Sequence, residues 1–180
     1  MARFIVVFLG VLLVLFGVEL LSPVQQHVVL PWTALLARTC VALVKLFDPA
    51  VVAQGKVLWS TSSGFGVSIE PGCNGVEAFI VLCAALVAFP AGWASRLKGL
   101  AAGFIAVQGL NVVRVISLFY LGQWSRPAFQ FAHEYLWQGL IMLDVLAVWL
   151  VWVRLVAPPH EGTPPDTPDV PPSVAAAEAA

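Results

Sequence analysis

Apolar stretches alternate with short polar interruptions along almost the whole chain. Residues 4–21 are apolar, preceded by Arg3 and carrying Glu19 near their far end. Residues 28–47 are apolar too, but Pro31, Arg38 and Lys45 interrupt them. The pattern then changes. Val57, Trp59 and Thr61 alternate with polar positions, as do Val67 and Ile69, on either side of Ser62-Ser63-Gly64-Phe65-Gly66, which predicts a β-hairpin. Three more apolar runs follow at 75–93, 99–121 and 137–156, each long enough to cross about 30 Å of hydrocarbon as a helix.

These elements predict an all-α integral membrane protein. It has about four transmembrane helices (4–21, 75–93, 99–121, 137–156), one interfacial or re-entrant helix within 28–47, and a short extracytoplasmic β-hairpin. Composition agrees: 60% of the 180 residues are hydrophobic, 11% are charged and the mean hydropathy is +0.91, whereas soluble domains carry roughly 25% charged residues. Ser22-Pro23 does not resemble a cleavage site, so the first apolar run is expected to remain as an anchor.

Charge sets the orientation. Arg96 and Lys98 fall in a very short loop between two spans, which places that loop in the cytoplasm and Cys73 outside. The same parity requires 28–47 not to span. Tyr135 and Trp137 form an aromatic collar where the last run begins. Residues 1–156 are thus expected to form one membrane-embedded domain. Residues 157–180, with seven prolines, four acids and no Lys or Arg, are expected to be a disordered cytoplasmic tail.

A net charge of −1 without a basic cluster gives no reason to expect nucleic acid as a partner. Membrane lipids are the expected surroundings. Cys40, Cys73 and Cys83 form no C-x-x-C pair and no His/Cys ligand spacing, which argues against a disulfide framework and a zinc site. Neither a metal nor an organic cofactor is expected.

Only Cys73 sits in a polar, Gly/Pro-punctuated turn, Glu70-Pro71-Gly72-Cys73-Asn74-Gly75-Val76-Glu77. Asn74 followed by Glu77 has the form of an N-cap with an acid at N3, so Cys73 is expected at a helix start, where the helix dipole lowers a thiol's pKa. Cys40 and Cys83 lie in apolar runs and read as inert packing. Arg114 lies inside a span, in Asn111-Val112-Val113-Arg114, and a guanidinium in hydrocarbon costs several kcal/mol unless it pairs or faces a wet cavity. Two readings remain open: a buried ion pair with Asp144, which counting from the helix ends puts at about the same depth, or a functional arginine at the outer surface, with Asn111 on its face of the helix. His133, at the start of the last run, is an acid/base candidate at the level of Cys73. His27 is its rival, and otherwise each is a polar anchor at the interface.

Taken together, Glu70-Pro71-Gly72-Cys73-Asn74-Gly75, Asn111-Val112-Val113-Arg114 and His133 resemble the exosortase/archaeosortase family over about residues 57–156, and are most similar to exosortase H. The resemblance implies a cysteine peptidase/transpeptidase of the inner membrane with its site on the extracytoplasmic side. Its partners would be exported proteins that end in a sorting signal, with an Ile-Pro-Thr-Leu type motif and a transmembrane helix. Carried over by position, Cys73 is the nucleophile, His133 the acid/base and Arg114 the group that stabilises charge or positions the scissile carbonyl. Apart from the resemblance, Glu70, Asn111 and Asp144 are the residues expected in support. Asn74 stands where many relatives have serine. Two other classes compete: a membrane thiol oxidoreductase, which needs a resolving cysteine, and a non-catalytic membrane assembly protein.

Overall fold

The computed structural model describes residues 2–156; the expected tail, 157–180, lies outside the described residues. The described chain runs through helix α1 (Ala2–Glu19), helix α2 (Ser22–Val44), strands β1 (Val51–Gln54), β2 (Val57–Ser60) and β3 (Gly66–Ser68), then helices α3 (Val76–Ala88), α4 (Trp93–Trp124) and α5 (Arg126–Val156). The widened π-type turn appears twice: Gln25–Val29 within α2 and Ala132–Leu136 within α5.

The protein is helical, as expected, with a small sheet, but the four longest apolar helices are not the four predicted spans. α1, α2, α4 and α5 are long and apolar enough to cross a membrane, whereas α3 has only 13 residues. The helix expected at the interface therefore has the length of a span. Its contacts explain its place. Along α2, Leu36, Ala37, Cys40, Val41 and Val44 pack with Val115 and Phe119 of α4 and with Val51, Leu58 and Ile69. Trp32 lies against Phe104, and Phe47, just past the helix, against Tyr120. α2 thus runs alongside α4 from Phe104 onward, in the same direction, and ends beside the sheet.

The first half of α4 has different neighbours. Ala78, Leu82 and Leu86 of α3 meet Val107 of α4 and Ile141, Val145 and Trp152 of α5. Gly99 and Gly103 permit close approach: a Cβ at Gly103 would run into Leu82, and one at Gly99 into the Trp152 indole, whose Nε1–H donates to Ser95 O at 2.9 Å. α4, at 32 residues, is about 48 Å long, more than the roughly 30 Å hydrocarbon layer needs. Its first half belongs to an apolar bundle with α3 and α5, flanked by α1, and its second half packs against α2, the sheet and the first part of α5. Outward-facing Leu9, Leu13, Ile105, Leu143 and Leu150 are exposed, as lipid-facing positions of such a bundle are.

The sheet has the order β1-β2-β3, antiparallel throughout, with Val51 opposite Ser60 and Val57 opposite Ser68. The expected hairpin is β2–β3. β1 is an addition that sequence periodicity did not reveal, since Val51-Val52-Ala53-Gln54 does not alternate. Val51 and Leu58 are fully buried against α2, and Phe65 meets Phe119. The sheet carries the chain to the start of α3, where the three candidate residues meet.

Candidate active site

The turn between β3 and α3 is tied down on every side. Glu70 O accepts from Cys73 N at 2.9 Å, and Glu77 Oε1 accepts from Gly72 N at 2.6 Å. Gly72 and Gly75 have φ of +82° and +76°, a region that L-residues rarely adopt. At Gly75 a side chain would also meet the Gln108 amide. Asn74 is buried and bonds in three directions: Oδ1 accepts from Val76 N, Nδ2 donates to Thr33 Oγ1, and its carbonyl accepts from Trp32 Nε1. α2 thereby clamps the residue next to the cysteine.

The expected cap is realised differently. Gly75, in the left-handed region, is the N-cap, and Glu77 reaches back to Gly72 rather than to Asn74. Cys73 stands before the cap, outside the helix. Its thiol is consequently not acidified as the N-terminal position predicted. Burial pushes its pKa above the ordinary thiol value, with Arg114 pulling it down and Glu77 and Glu70 pushing it further up.

Three elements converge on the sulfur. Arg114 of α4, 3% exposed, donates from Nη2 to Cys73 Sγ at 3.3 Å and from Nη1 to Gly72 O at 3.2 Å. His133 of α5 places Nε2 3.3 Å from Cys73 Sγ. His133 lies in the π-type turn, which adds a residue to one turn and re-aims the side chains after it, a feature frequent at functional sites. Its ring stacks on Phe129 with centroids 5.7 Å apart and planes 6° apart, one helical turn earlier. Ser125 caps this segment by accepting from Ala128 N.

The supporting residues divide. Asn111, on the Arg114 face of α4, is fully buried, and neither of its amide heteroatoms has a partner among the described residues. Glu70 faces the sheet instead, bonded to Lys56 Nζ at 2.5 Å and Ser68 Oγ at 2.7 Å. Lys56 first, and Ser68 next, hold its carboxyl below the usual range. Glu70 touches the site through its backbone carbonyl, and its carboxylate reaches the thiol only through its charge. The Arg114–Asp144 ion pair is absent. Asp144 Oδ2 is buried without a partner among the described residues, and Arg114 gives both Nη groups to the Cys73 turn while its Nε has no acceptor among them. Depth is the reason: residues Arg126–Val156 form one continuous helix with His133 at the Cys73 sulfur, so Asp144, eleven positions further on, lies about 16 Å along the helix from the site.

The remaining candidates stay apart. His27 Nδ1 bonds Pro23 O at 2.9 Å. All three cysteines are free; Cys40 is fully buried, whereas Cys83 is only half-buried, on the flank of α3 rather than in the core. Trp32, Thr33, Gln108 and Phe129 were missed as parts of the site. Each acts through a contact distant in sequence, or through a ring that pattern reading treats as core, so no local signal marks them.

The sequence matches the family model for the transmembrane exosortase over residues 1–155. The chain belongs to the transmembrane exosortase family. No curated protein and no solved structure matches it. This exosortase is accordingly a multi-pass membrane protein of a family associated with sorting and generally acting as cysteine transpeptidases, and Cys73 is the cysteine that its own fold joins to a histidine and an arginine.

Proposed function

We propose that this exosortase is a membrane cysteine peptidase and transpeptidase that cleaves exported proteins at a C-terminal sorting signal through a thioester on Cys73. The observation that carries this reading is the meeting of His133 and Arg114, from two different helices, each 3.3 Å from one sulfur.

The raised thiol pKa favours a protonated resting thiol, whose proton His133 Nε2 accepts as Sγ attacks the scissile carbonyl. The carbonyl becomes an oxyanion beside the Arg114 guanidinium, which is buried and therefore strongly felt. Collapse breaks the C–N bond, and the imidazolium returns its proton to the leaving amine. An incoming nucleophile then attacks the thioester and releases Cys73. The protein with its sorting signal and transmembrane helix is the substrate class, with Ile-Pro-Thr-Leu as the motif to test first.

The site is proposed to face the extracytoplasmic side of the inner membrane. Arg3 and Arg96 line one cavity at the far end of the bundle, and Lys98 and Leu155, next to Arg154, line a groove at that same end. Cations gathered at one end favour the cytoplasmic side for it. Cys73 lies at the opposite end of α3. α2 does not return to the cationic end, which fits a helix held at the outer surface.

The test is coexpression with a tagged protein bearing such a signal. Processing should vanish in Cys73→Ala at unchanged protein level and survive in the Cys40→Ser, Cys83→Ser double variant. Loss in the double variant alone would favour a thiol oxidoreductase, and processing by Cys73→Ala would favour a non-catalytic role.

A further inference from the structure

At the end of the bundle opposite Cys73, the start of α1, the end of α3 and the start of α4 enclose a cavity of about 490 Å³. Arg3 and Arg96 line it together with Phe4, Phe89, Pro90 and Trp149, and no Asp or Glu does. Arg96 is held by Nη2 donating to Phe89 O at 3.0 Å and by its position 5.1 Å from the Trp93 ring. Its Nε is nevertheless buried without an acceptor among the described residues, and so is the indole Nε1 of Trp149. Buried N–H groups are rarely left unbonded, so these donors call for an acceptor that the described residues do not supply. A cation placed by the positive-inside tendency alone would keep its donors in water.

A second cavity adjoins the first. Phe4 and Trp149 also line an apolar groove of about 260 Å³, continued by Phe8 of α1, Val81 and Ala85 of α3, and Met142, Val145 and Leu146 of α5. It extends from the cationic cavity toward the middle of the bundle, along the flank where lipid would stand. A cationic, donor-lined chamber opening into an apolar groove is the shape of an amphiphile.

We infer that this end of the bundle binds an anionic phospholipid, its phosphate on Arg3, Arg96 and the Trp149 N–H, and one acyl chain in the groove between α1 and α5. The phosphate supplies the acceptors that Arg96 Nε and Trp149 Nε1 lack, and pairs with two guanidinium groups through charge-assisted bonds. The groove selects a lipid over free phosphate. The bound molecule staples α1 to α3 and α5, which otherwise meet through apolar side chains alone at this level.

The full-length protein in nanodiscs of phosphatidylglycerol or of phosphatidylcholine, examined by native mass spectrometry, tests the inference. Phosphatidylglycerol should stay bound and phosphatidylcholine should not. Arg3→Gln, which breaks no side-chain bond among the described residues, should weaken retention about fivefold, the effect of one surface cation on an anionic lipid. Trp149→Phe should weaken it while keeping the ring, and Arg3→Gln with Arg96→Gln should abolish the preference. Equal retention of both lipids, or unchanged retention in Arg3→Gln and Trp149→Phe, would overturn the proposal. Displacement by millimolar inorganic phosphate would reduce the site to a free-anion site, and phosphatidylglycerol binding only after removal of residues 157–180 would make the acidic tail the occupant; either contradicts it.

Discussion

Arg114 binds the Cys73 turn at two points, 3.3 Å from the sulfur and 3.2 Å from the Gly72 carbonyl, so one planar guanidinium fixes both the reactive atom and the backbone before it. The fork matters as much as the charge. Lysine keeps the charge but offers one compact ammonium. Arg114→Lys should therefore accumulate normally while substrate processing falls about 100-fold or more, the cost of losing one positioned donor. Near-normal processing, read by the tagged-substrate assay, would remove Arg114 from the chemistry.

Asp144 offers the complementary test. It has no ionic partner among the described residues, so Asp144→Asn removes a carboxylate without freeing an arginine. Protein level and processing should both stay within about twofold of the parent, as for changes outside a coupled pair. A joint collapse of level and activity, rescued by also replacing Arg114, would restore the ion pair that depth counting suggested.

How far the sequence revealed this arrangement differs from part to part. Cys73, Arg114 and His133 were legible because each breaks a local rule: a thiol in a Gly/Pro turn, a guanidinium in an apolar run, an imidazole where a span begins. Their meeting was inferred from a shared depth, and that inference held. The same counting failed for Asp144, because the apolar run at 137–156 hides where α5 starts; Arg126 to Leu136 are helical and include the π-type turn. The role of α2 was also invisible. Nothing local to Trp32 or Thr33 reports that both bond to Asn74, some forty residues away.

The histidine and its stacking partner make a separable prediction. His133→Ala should lower processing by about 10²–10⁴-fold, the range for a positioned acid/base. Phe129→Leu keeps an apolar neighbour but loses the parallel ring, so it should cost less and act on kcat rather than on protein level. A Phe129→Leu effect as large as that of His133→Ala would mean that the stack, rather than the imidazole proton, is what the site requires.

The pH dependence follows from burial. Cys73 titrates above the ordinary thiol value because burial favours the neutral form more than Arg114 favours the thiolate. Iodoacetamide alkylation of Cys73 should accordingly be slow at neutral pH and rise only above the usual thiol range. Arg114→Gln removes the opposing cation and should move that rise to still higher pH. A rate already at its plateau at pH 7 in the parent would contradict a neutral resting thiol.

The central claim is that the Cys73 sulfur forms the covalent bond. Coexpression with a tagged protein ending in a sorting signal, followed by mass spectrometry of Cys73-containing peptides, measures it directly. A hydroxylamine-sensitive substrate adduct on Cys73, absent from Cys73→Ala and undiminished in the Cys40→Ser, Cys83→Ser double variant, is the expected result. Normal substrate processing by Cys73→Ala, or an adduct on Cys40 or Cys83 alone, would contradict the account.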